Sequence, residues 1–421
     1  MVRVARAWGF LALSLMVLAV ASNAADMTRR IVVFAPGTTA AQRLALAKST
    51  GAQIVRELPL INAVVIETPA DRVSASETKL TAMAEVARID QDPKINWLKA
   101  VDAPGVDFRL PNMDAIMAPL RALKSSKAAA APAPASGSQA IQWGVNRVNA
   151  PAAWKKTRGA GVKVAVIDTG LDKTHPDLAG NIKGGWNAIA KSSDFNDDHG
   201  HGTHCGGNIA ALDNDIGIVG VAPKVDLYGV KVLDANGSGT FDDVIAGMQW
   251  AVDNHMDVAS MSLGADQGNQ ALADMVAAMK KGGVTLVAAA GNSGGAVGFP
   301  GGYPEAIAVA AMCPAGVTDT GLCADANEGL AVFSSRGPEV AVIAPGVNVY
   351  SLSMNGGYDT MSGTSMATPH VAGLAALYVA THKGATPDQV RAALAAASTK
   401  LPGVIPEGQG AGLPDAAKLV Q

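Results

Sequence analysis

The pattern of apolar and polar positions changes at Gln139, where short apolar runs begin to alternate with stretches of helical periodicity. Four runs are rich in Val, Ala and Leu and show little polar alternation: 162–168, 225–233, 256–264 and 283–292. Strands that are buried on both faces have this character. The intervening segments "TFDDVIAGMQWAVDN" and "QALADMVAAMKKG" have the spacing of helices. The pattern therefore predicts an α/β fold, a parallel sheet with helices on both faces.

A different pattern precedes it, and residues 30–105 indicate a small α+β unit. The run "RIVVF" and the alternating "NAVVIETP" predict strands, "TAAQRLALAKST" predicts a helix, and a second helix is expected from about Ala70 to Ala87, before "INWLKAV". Residues 124–138, "KSSKAAAAPAPASGS", are rich in Ala, Pro and Ser and cannot form a packed core. We interpret them as a linker.

The N-terminus has the pattern of a secretory signal peptide. Arg3 and Arg6 precede an apolar run from Trp8 to Val20, and small residues follow up to Ala24. The run of 13 residues is shorter than the roughly 20 that a transmembrane helix needs. We therefore expect residues 1–24 to be removed, and the protein to be secreted, extracellular and without a stable membrane anchor.

Charge and cysteine content bear on the partners of the protein and on the class of scaffold. The 33 Lys and Arg residues nearly balance 36 Asp and Glu residues, without long runs of either sign, so nothing indicates nucleic acid as a partner. Three cysteines exclude a disulfide-dense scaffold. Cys313 and Cys323 are ten residues apart and can pair, which leaves Cys205 as either a small buried apolar residue or a thiol near the chemistry.

Three residues with chemical potential stand at strand ends or helix starts, where α/β folds form their sites. Asp168 ends the run "VKVAVID", His201 opens the helix-like "HGTHCGGNIAAL", and Ser365 follows Gly363-Thr364. Pro369 is expected in the first turn of the helix that contains Ser365. A serine hydroxyl becomes a nucleophile when an imidazole, itself oriented by a carboxylate, accepts its proton.

The segment "DDHGHGTHCGG", residues 197–207, allows a second interpretation. His199, His201 and His204 have a spacing that can bind a metal, although a single His before Gly-Thr can also act as a catalytic base. The segment alone leaves both possibilities open.

Three segments resemble the active-site blocks of the subtilisin family of serine proteases: "VAVIDTGLDKTHPDL", "HGHGTHCGG" and "GTSMATPHVAG". Their order of Asp, His and Ser is the order that subtilisin itself uses, and it differs from that of the α/β-hydrolases. The resemblance extends from about Gln139 to the C-terminus. It implies a subtilisin-like sheet, with Ser365 as nucleophile, His201 as general base and Asp168 as the residue that orients His201.

The resemblance also assigns further roles. Asn292, in "VAAAGN", would donate its side-chain amide to the oxyanion together with the backbone N–H of Ser365. Catalytic zinc is disfavoured, since an Asp would be needed where Thr203 stands. His199 and His204 are then expected to be neighbours of the site, one exposed and one packed beneath it. Cys205 follows His204 as in the proteinase K-like branch, which implies a free thiol beneath the catalytic histidine.

The substrate groove follows from the same resemblance. A peptide would bind as an added strand between two segments, Gly237, Ser238 and Gly239 on one side and Ser262, Leu263 and Gly264 on the other. The pocket before the scissile bond would be lined by Ala289, Ala290, Gly291 and Gly298. Because these residues are small and uncharged, we expect broad specificity with a preference for large apolar side chains.

A structural calcium ion is the cofactor that the resemblance implies. Its oxygen ligands would be the side chains of Gln139, Asp177 and Asn214 and the carbonyls of Leu212, Ile216 and Ile218. The N-terminal unit resembles the family's inhibitory propeptide. The predicted organisation is a signal peptide (1–24), a propeptide (25–123), the linker (124–138) and a catalytic domain (139–421).

The sequence thus predicts a secreted serine endopeptidase that acts on polypeptides and processes its own precursor, with its own propeptide as an intramolecular inhibitor. The second hypothesis is an esterase or an inactive binding protein of the same fold. The presence of the expected residue at all four catalytic positions argues against it. A metallohydrolase is the third. It predicts sensitivity to chelators and indifference to covalent serine reagents.

Overall fold

The computed structural model describes residues 26–98 and 139–421. The predicted signal peptide, the linker and residues 99–123 of the predicted propeptide lie outside the described residues. Within the described part, none of the helices combines the length and apolar character needed to cross a bilayer.

The N-terminal unit is a four-stranded antiparallel sheet with two helices, and its strand order is β2-β3-β1-β4. Alternate residues of β1 face opposite ways: Val32 and Phe34 pack into the unit's own core, whereas Ile31 and Val33 pack toward the larger unit. Its elements are β1 (Met27–Phe34), α1 (Ala40–Ser49), β2 (Gln53–Leu58), β3 (Ala63–Pro69), α2 (Val73–Thr81), β4 (Val86–Gln91) and β5 (Lys94–Asn96).

The helix predicted from Ala70 to Ala87 is wrong at both ends. A 3₁₀ turn occupies Ala70–Arg72, α2 ends at Thr81, and the chain resumes as the strand β4, which pairs with β1. Val86 and Ile89 pack against the core of the unit from this strand, so tertiary pairing decides the conformation of a segment whose local pattern is ambiguous.

The larger unit contains an eight-stranded sheet in the order β13-β12-β11-β10-β6-β8-β7, with β14 paired to β12. All pairs are parallel except the short β12–β13 pair. The first half of this unit contains α3 (Trp143–Arg147), α4 (Ala150–Ala153), β6 (Lys163–Asp168), β7 (Ile182–Asn187), α5 (His201–Ala210), β8 (Asp226–Lys231), β9 (Ser238–Thr240), α6 (Phe241–Asp253) and β10 (Val258–Met261). The second half contains α7 (Gln270–Lys281), β11 (Thr285–Ala289), β12 (Ile307–Cys313), β13 (Gly329–Leu330), β14 (Val340–Pro345), β15 (Val349–Ser353), β16 (Gly357–Met361), α8 (Thr364–Thr381), α9 (Pro387–Ala396), β17 (Ser398–Thr399), α10 (Pro406–Gln409), β18 (Leu413–Pro414) and α11 (Ala416–Leu419).

The side chains of β6 show why this sheet is buried on both faces. Val164 and Val166 belong to the apolar cluster that includes residues of α5 and α8, whereas Ala165 and Ile167 belong to the cluster that includes residues of α6 and α7. Because neighbouring residues of a strand point to opposite faces, both helical layers pack on one continuous apolar strand. The predicted fold class is confirmed: a largely parallel sheet between helices, preceded by a small antiparallel α+β unit.

The three cysteines form one disulfide and leave one free thiol, as the sequence allowed. Cys313 and Cys323 form a disulfide, with their Cα atoms 6.0 Å apart. Cys205 is free and buried on α5.

Candidate active site

The predicted Asp and His meet at the carboxyl edge of the sheet. Asp168 is the last residue of β6, and His201 is the first residue of α5. The Nδ1 atom of His201 lies 2.8 Å from Asp168 Oδ1, and both side chains are buried. The Thr169 N–H also donates to Asp168 Oδ1, at 2.7 Å, and this bond fixes the carboxylate.

The electrostatics of the pair stabilise the positive charge that the imidazole acquires when it accepts a proton. Burial lowers the pKa of His201, but the Asp168 carboxylate and the neighbouring Cys205 outweigh it, and the pKa is raised well above its ordinary value. A base with this arrangement holds one tautomer, with the proton on Nδ1 and Nε2 facing the reacting group.

Ser365 lies beside this pair, at the start of α8. Its hydroxyl donates to the Ser262 carbonyl at 3.1 Å, and within the described residues His201 Nε2 has no hydrogen-bond partner. Cys205 bridges the two, since its Sγ lies 3.5 Å from the Ser365 carbonyl oxygen and 4.0 Å from His201 Nδ1. The Ser365–His201 bond is therefore not formed in this conformation. Such bonds are often long without substrate and form in the complex.

The carbonyl of Ser365 is held by contacts that depend on Pro369. Pro369 lies inside α8 rather than in its first turn, so the sequence prediction for its position is wrong. A proline lacks the N–H that would bond to the carbonyl four residues earlier, which here is that of Ser365. The Ser262 hydroxyl donates to that carbonyl instead, at 2.8 Å. The missing helical bond thus allows a contact that fixes Ser365 to the neighbouring segment.

Asn292 follows β11 and its amide is oriented by Thr364. Its Oδ1 accepts hydrogen bonds from the Thr364 backbone N–H at 2.8 Å and from the Thr364 hydroxyl at 2.9 Å. With the amide oxygen occupied in this way, the NH₂ group remains to donate elsewhere. Asn292 and Ser365 line the same pocket.

The three histidines of residues 199–204 do not converge. His199 is exposed, whereas His204 is buried, with its Nε2 3.1 Å from the Val349 carbonyl, and burial lowers its pKa to about 3. Among the described residues, the group of metal-capable side chains that lie within 4.8 Å of one another consists of Asp168, His201 and Cys205. Neither other histidine belongs to it, so the spacing that resembled a metal motif does not produce a three-histidine cage.

The two predicted groove segments hold a strand of the N-terminal unit. Strand β5 pairs antiparallel with β9, with Ile95 opposite Gly239. The Trp97 N–H donates to the Gly237 carbonyl at 2.9 Å, and the Gly264 N–H donates to the Trp97 carbonyl at 3.0 Å. The chain's own residues 94–97 thus occupy the space between the segments in the manner of an added strand.

Trp97 was missed by the sequence analysis, although it stands in the quoted segment "INWLKAV". Its ring is buried against Phe241, with centroids 4.8 Å apart, and its indole N–H donates to the Gly239 carbonyl at 3.0 Å. A lone aromatic residue in such a segment carries no signal of this long-range contact.

The pocket beside Ser365 includes most of the predicted wall. Ala290 is the exception: it is fully buried behind the wall, where its carbonyl accepts the Gly298 N–H. Among the described residues that line the pocket, Asp266 is the only charged one; it is exposed, and the sequence prediction did not include it. The pocket is lined by Trp97, Leu263, Gly264, Ala265, Asp266, Ala289, Gly291, Asn292, Ser293, Ala296, Gly298, Ser335, Thr364 and Ser365.

Most of the residues predicted to bind calcium converge around the Gln139 amide. Its Nε2 donates to the Ile218 carbonyl at 2.7 Å and to the Leu212 carbonyl, with Asn214 Oδ1 3.4 Å away. Asp177 Oδ2 accepts the Ile218 N–H at 2.9 Å, whereas its buried Oδ1 has no partner among the described residues. Burial raises the pKa of Asp177 to about 7. A convergent set of oxygens with an orphaned carboxylate atom fits a hard cation, and a flip of the Gln139 amide would add its oxygen to the set.

Ile216 contacts this set of predicted calcium ligands through its N–H rather than through its carbonyl. Its backbone N–H donates to Asn214 Oδ1 at 3.2 Å, which orients the Asn214 amide. A ligand role for the Ile216 carbonyl stays a prediction.

This geometry suits proton transfer through a buried imidazole rather than metal binding. It therefore places the protein among the serine hydrolases.

Residues 159–412 match the model of the subtilase family. Subtilisin E of Bacillus subtilis (strain 168) is 43% identical over 270 residues, which are 62% of this chain and 67% of the relative. Subtilisin of Bacillus pumilus is 44% identical over 270 residues, 62% of this chain and 93% of the relative. Alkaline elastase YaB of Bacillus sp. (strain YaB) is 47% identical over 241 residues, 57% and 60% of the two chains.

This chain belongs to the subtilase family. It is a subtilisin-like serine endopeptidase with a propeptide-like N-terminal domain, as the sequence analysis predicted.

Proposed function

We propose that the protein is made as a secreted zymogen and cleaves polypeptides through an acyl-enzyme on Ser365. The observation that carries this proposal is the buried 2.8 Å contact between Asp168 and His201 at the carboxyl edge of the sheet, with Ser365 and Asn292 lining the adjacent pocket. Three groups in this arrangement supply the nucleophile, the base and the residue that orients the base.

The reaction follows from what each group can donate and accept. The hydroxyl of Ser365 attacks the substrate carbonyl carbon while its proton passes to His201 Nε2, and Asp168 stabilises the imidazolium. The Asn292 amide and the Ser365 backbone N–H donate to the oxyanion. His201 then protonates the departing amine as the C–N bond breaks. Water, deprotonated by His201, next attacks the ester carbonyl, and the proton returns to Ser365 as the acid product leaves.

The N-terminal unit acts as the intramolecular inhibitor in this proposal. Four of its basic side chains meet carboxylates of the larger unit: Arg29 with Asp242 at 2.5 Å, Arg56 with Asp243 at 3.2 Å, Arg88 with Asp274 at 2.5 Å, and Lys94 with Asp234 at 2.7 Å. Together with β5 in the groove, these contacts support a unit that blocks the site until it is cut away. The proposed boundaries are 1–24 for the signal peptide, 25–123 for the propeptide, 124–138 for the linker and 139–421 for the enzyme.

Substrate preference follows from the small walls of the pocket. Gly291, Gly298 and Ala289 leave room for a large side chain, and each methylene that is buried there contributes about 0.8 kcal/mol, or roughly fourfold in kcat/KM. In a peptide library varied before the scissile bond, we expect Phe, Tyr, Leu and Met to exceed Ala and Gly. The same library varied at a position far from the bond is the control. A preference confined to charged side chains would contradict this specificity.

Calcium is proposed to bind Gln139, Asp177, Asn214 and the carbonyls of Leu212, Ile216 and Ile218, where it would stabilise the fold without taking part in the chemistry. At a calcium concentration of about 100 times Kd, binding contributes about 2.7 kcal/mol, which raises Tm by roughly 5–10 °C. Calorimetry with calcium or chelator measures this, in a Ser365→Ala background that prevents self-digestion.

Asp177→Asn should abolish the calcium-dependent part of Tm, because it removes the one charged ligand. Asp253→Asn changes an exposed carboxylate at the end of α6 and is the matched control, with an unaltered response to calcium. An equal calcium response in Asp177→Asn and the control would rule out this site.

A further inference from the structure

A second buried carboxylate, Asp197, is hydrogen-bonded to the residues that adjoin Asp168 and His201 in the chain, Thr169 and Gly200, and has no role in the reaction described above. Its side chain accepts five hydrogen bonds. Oδ1 accepts from the Thr169 hydroxyl at 2.9 Å and from the backbone N–H groups of His199 at 3.0 Å and Gly200 at 2.9 Å. Oδ2 accepts from the Thr203 N–H at 2.9 Å and from the Thr203 hydroxyl at 2.6 Å.

This carboxylate stays charged without a cation against it. None of the ion pairs among the described residues includes Asp197, which is 4% exposed. Burial raises its pKa, but the hydrogen bonds from Gly200, Thr203 and His199 outweigh burial and hold the pKa below its ordinary value. The five donors compensate the buried negative charge. Without them the charge would be uncompensated and the fold would be destabilised.

The donors belong to the two segments that carry the catalytic pair. Thr169 directly follows Asp168, and its hydroxyl also accepts the Gly202 N–H at 2.9 Å. Helix α5 begins at His201, and its N-cap residue, Gly200, has no side chain to cap it. Asp197 takes that role by accepting the N–H of Thr203, the third residue of the helix.

We propose that Asp197 is a positioning residue for the reaction. It fixes the end of β6 to the start of α5, so that Asp168 and His201 stay in register, and its charge stabilises the imidazolium that forms during catalysis. This inference rests on the proposed roles of Ser365, His201 and Asp168.

Other charged and titratable groups surround His201. Asp168 faces it from β6, Cys205 and His204 share α5, and the exposed His199 lies in the preceding loop with its ring centroid 6.2 Å away. Lys231 of β8 donates to the Thr169 carbonyl at 2.7 Å and to Asp198 at 2.6 Å. These groups keep their identity in a variant of residue 197, so a difference in pH dependence reports the charge of Asp197 together with its positioning of the pair, and a variant that keeps the charge separates the two.

The test compares mature Asp197→Asn with mature wild type, both expressed as the full-length precursor and processed, with rates expressed per active site after titration with a fluorophosphonate probe. The amide keeps the size of the side chain but removes the charge, and it places an NH₂ group against donors. We expect kcat to fall about tenfold to a hundredfold while KM stays within about twofold. Losing a nearby negative charge lowers the pKa of the imidazole, so the acid limb of kcat should move to lower pH by about half a unit or more.

Asp194→Asn is the matched control, because this exposed carboxylate lies on the same loop and pairs with Lys173. It should leave both kcat and the acid limb unchanged. Thr203→Val covers the case in which Asp197→Asn does not fold, since it keeps the carboxylate and removes the hydroxyl that donates to Asp197 and accepts the Asp172 N–H at 2.9 Å. It should lower kcat severalfold with the acid limb in place, whereas Thr203→Ser should restore the wild-type rate.

Three outcomes separate the possibilities. An Asp197→Asn enzyme with wild-type kcat and an unmoved acid limb overturns the inference, and so does a Thr203→Val enzyme with wild-type kcat where Asp197→Asn does not fold. A lower melting temperature with unchanged kinetics per active site means that Asp197 is structural only, which also overturns it. If wild type itself is not labelled by the probe, the proposed function fails, and that result is distinct from the other two.

Discussion

A Ser365→Ala variant should accumulate as uncut precursor and should lose peptide hydrolysis by about 10⁶-fold, the loss known for the nucleophile of subtilisin itself. The alanine keeps the fold of α8 but has no oxygen with which to form the acyl-enzyme. Self-processing is expected to stop for the same reason, since β5 already lies between the two groove segments and the chain would be its own first substrate.

Mass spectrometry of both proteins from a protease-free host measures this directly. Wild type should yield a mature chain that lacks the N-terminal unit, whereas Ser365→Ala should keep that unit. Ser362→Ala is the control: this hydroxyl accepts the Asn348 N–H outside the pocket, and its loss should leave processing intact. Wild-type enzyme added in trans should cut the Ser365→Ala precursor. If wild type and Ser365→Ala are processed alike, self-cleavage is wrong.

The sequence could predict the parts of the site that depend on local structure. Asp168 ends an apolar strand and His201 starts a helix, and both positions follow from hydrophobic pattern and glycine placement. In a parallel sheet such positions gather at one edge, so the meeting of Asp168 and His201 was predictable from the fold class together with the family resemblance.

Contacts between distant segments could not be predicted in the same way. The Ser262 hydroxyl reaches the Ser365 carbonyl because Pro369 sits inside α8, yet the sequence placed that proline in the first turn. Trp97 packs on Phe241 across the two units, and no periodicity links residues so far apart. The predicted helix was extended to about Ala87 although α2 ends at Thr81, because the strand Val86–Gln91 depends on pairing with β1 rather than on its own residues.

The segment around residues 197–207 shows the same limit in chemical terms. Its histidines and aspartates had a spacing compatible with a metal site, but spacing does not say where a side chain points. In the fold His204 bonds to the Val349 carbonyl, and Asp197 accepts five hydrogen bonds from neighbouring N–H and hydroxyl groups. His204 and Asp197 are satisfied by neighbouring backbone and hydroxyl groups, which leaves the imidazole of His201 to pair with Asp168.

Replacing Asn292 by alanine should lower kcat by about 10²–10³-fold, with KM nearly unchanged. This corresponds to about 2.7–4 kcal/mol, the range known for the oxyanion-hole asparagine of subtilisin itself. The negative charge on the substrate oxygen develops only in the transition state, so a donor aimed at it contributes little to ground-state binding. The two bonds from Thr364 to Asn292 Oδ1 favour this role, because they hold the amide with its NH₂ group free to donate.

Steady-state kinetics on one peptide substrate separates kcat from KM for Asn292→Ala. Ser293→Ala is the matched control, since Ser293 lines the same pocket one residue later, and its kcat should stay within about twofold of wild type. The fluorophosphonate probe should still label Asn292→Ala, because Ser365, His201 and Asp168 remain, but at a rate reduced along with kcat. A variant whose loss lies in KM with kcat intact would show that Asn292 binds the ground state instead, and the oxyanion would then need a donor other than this amide.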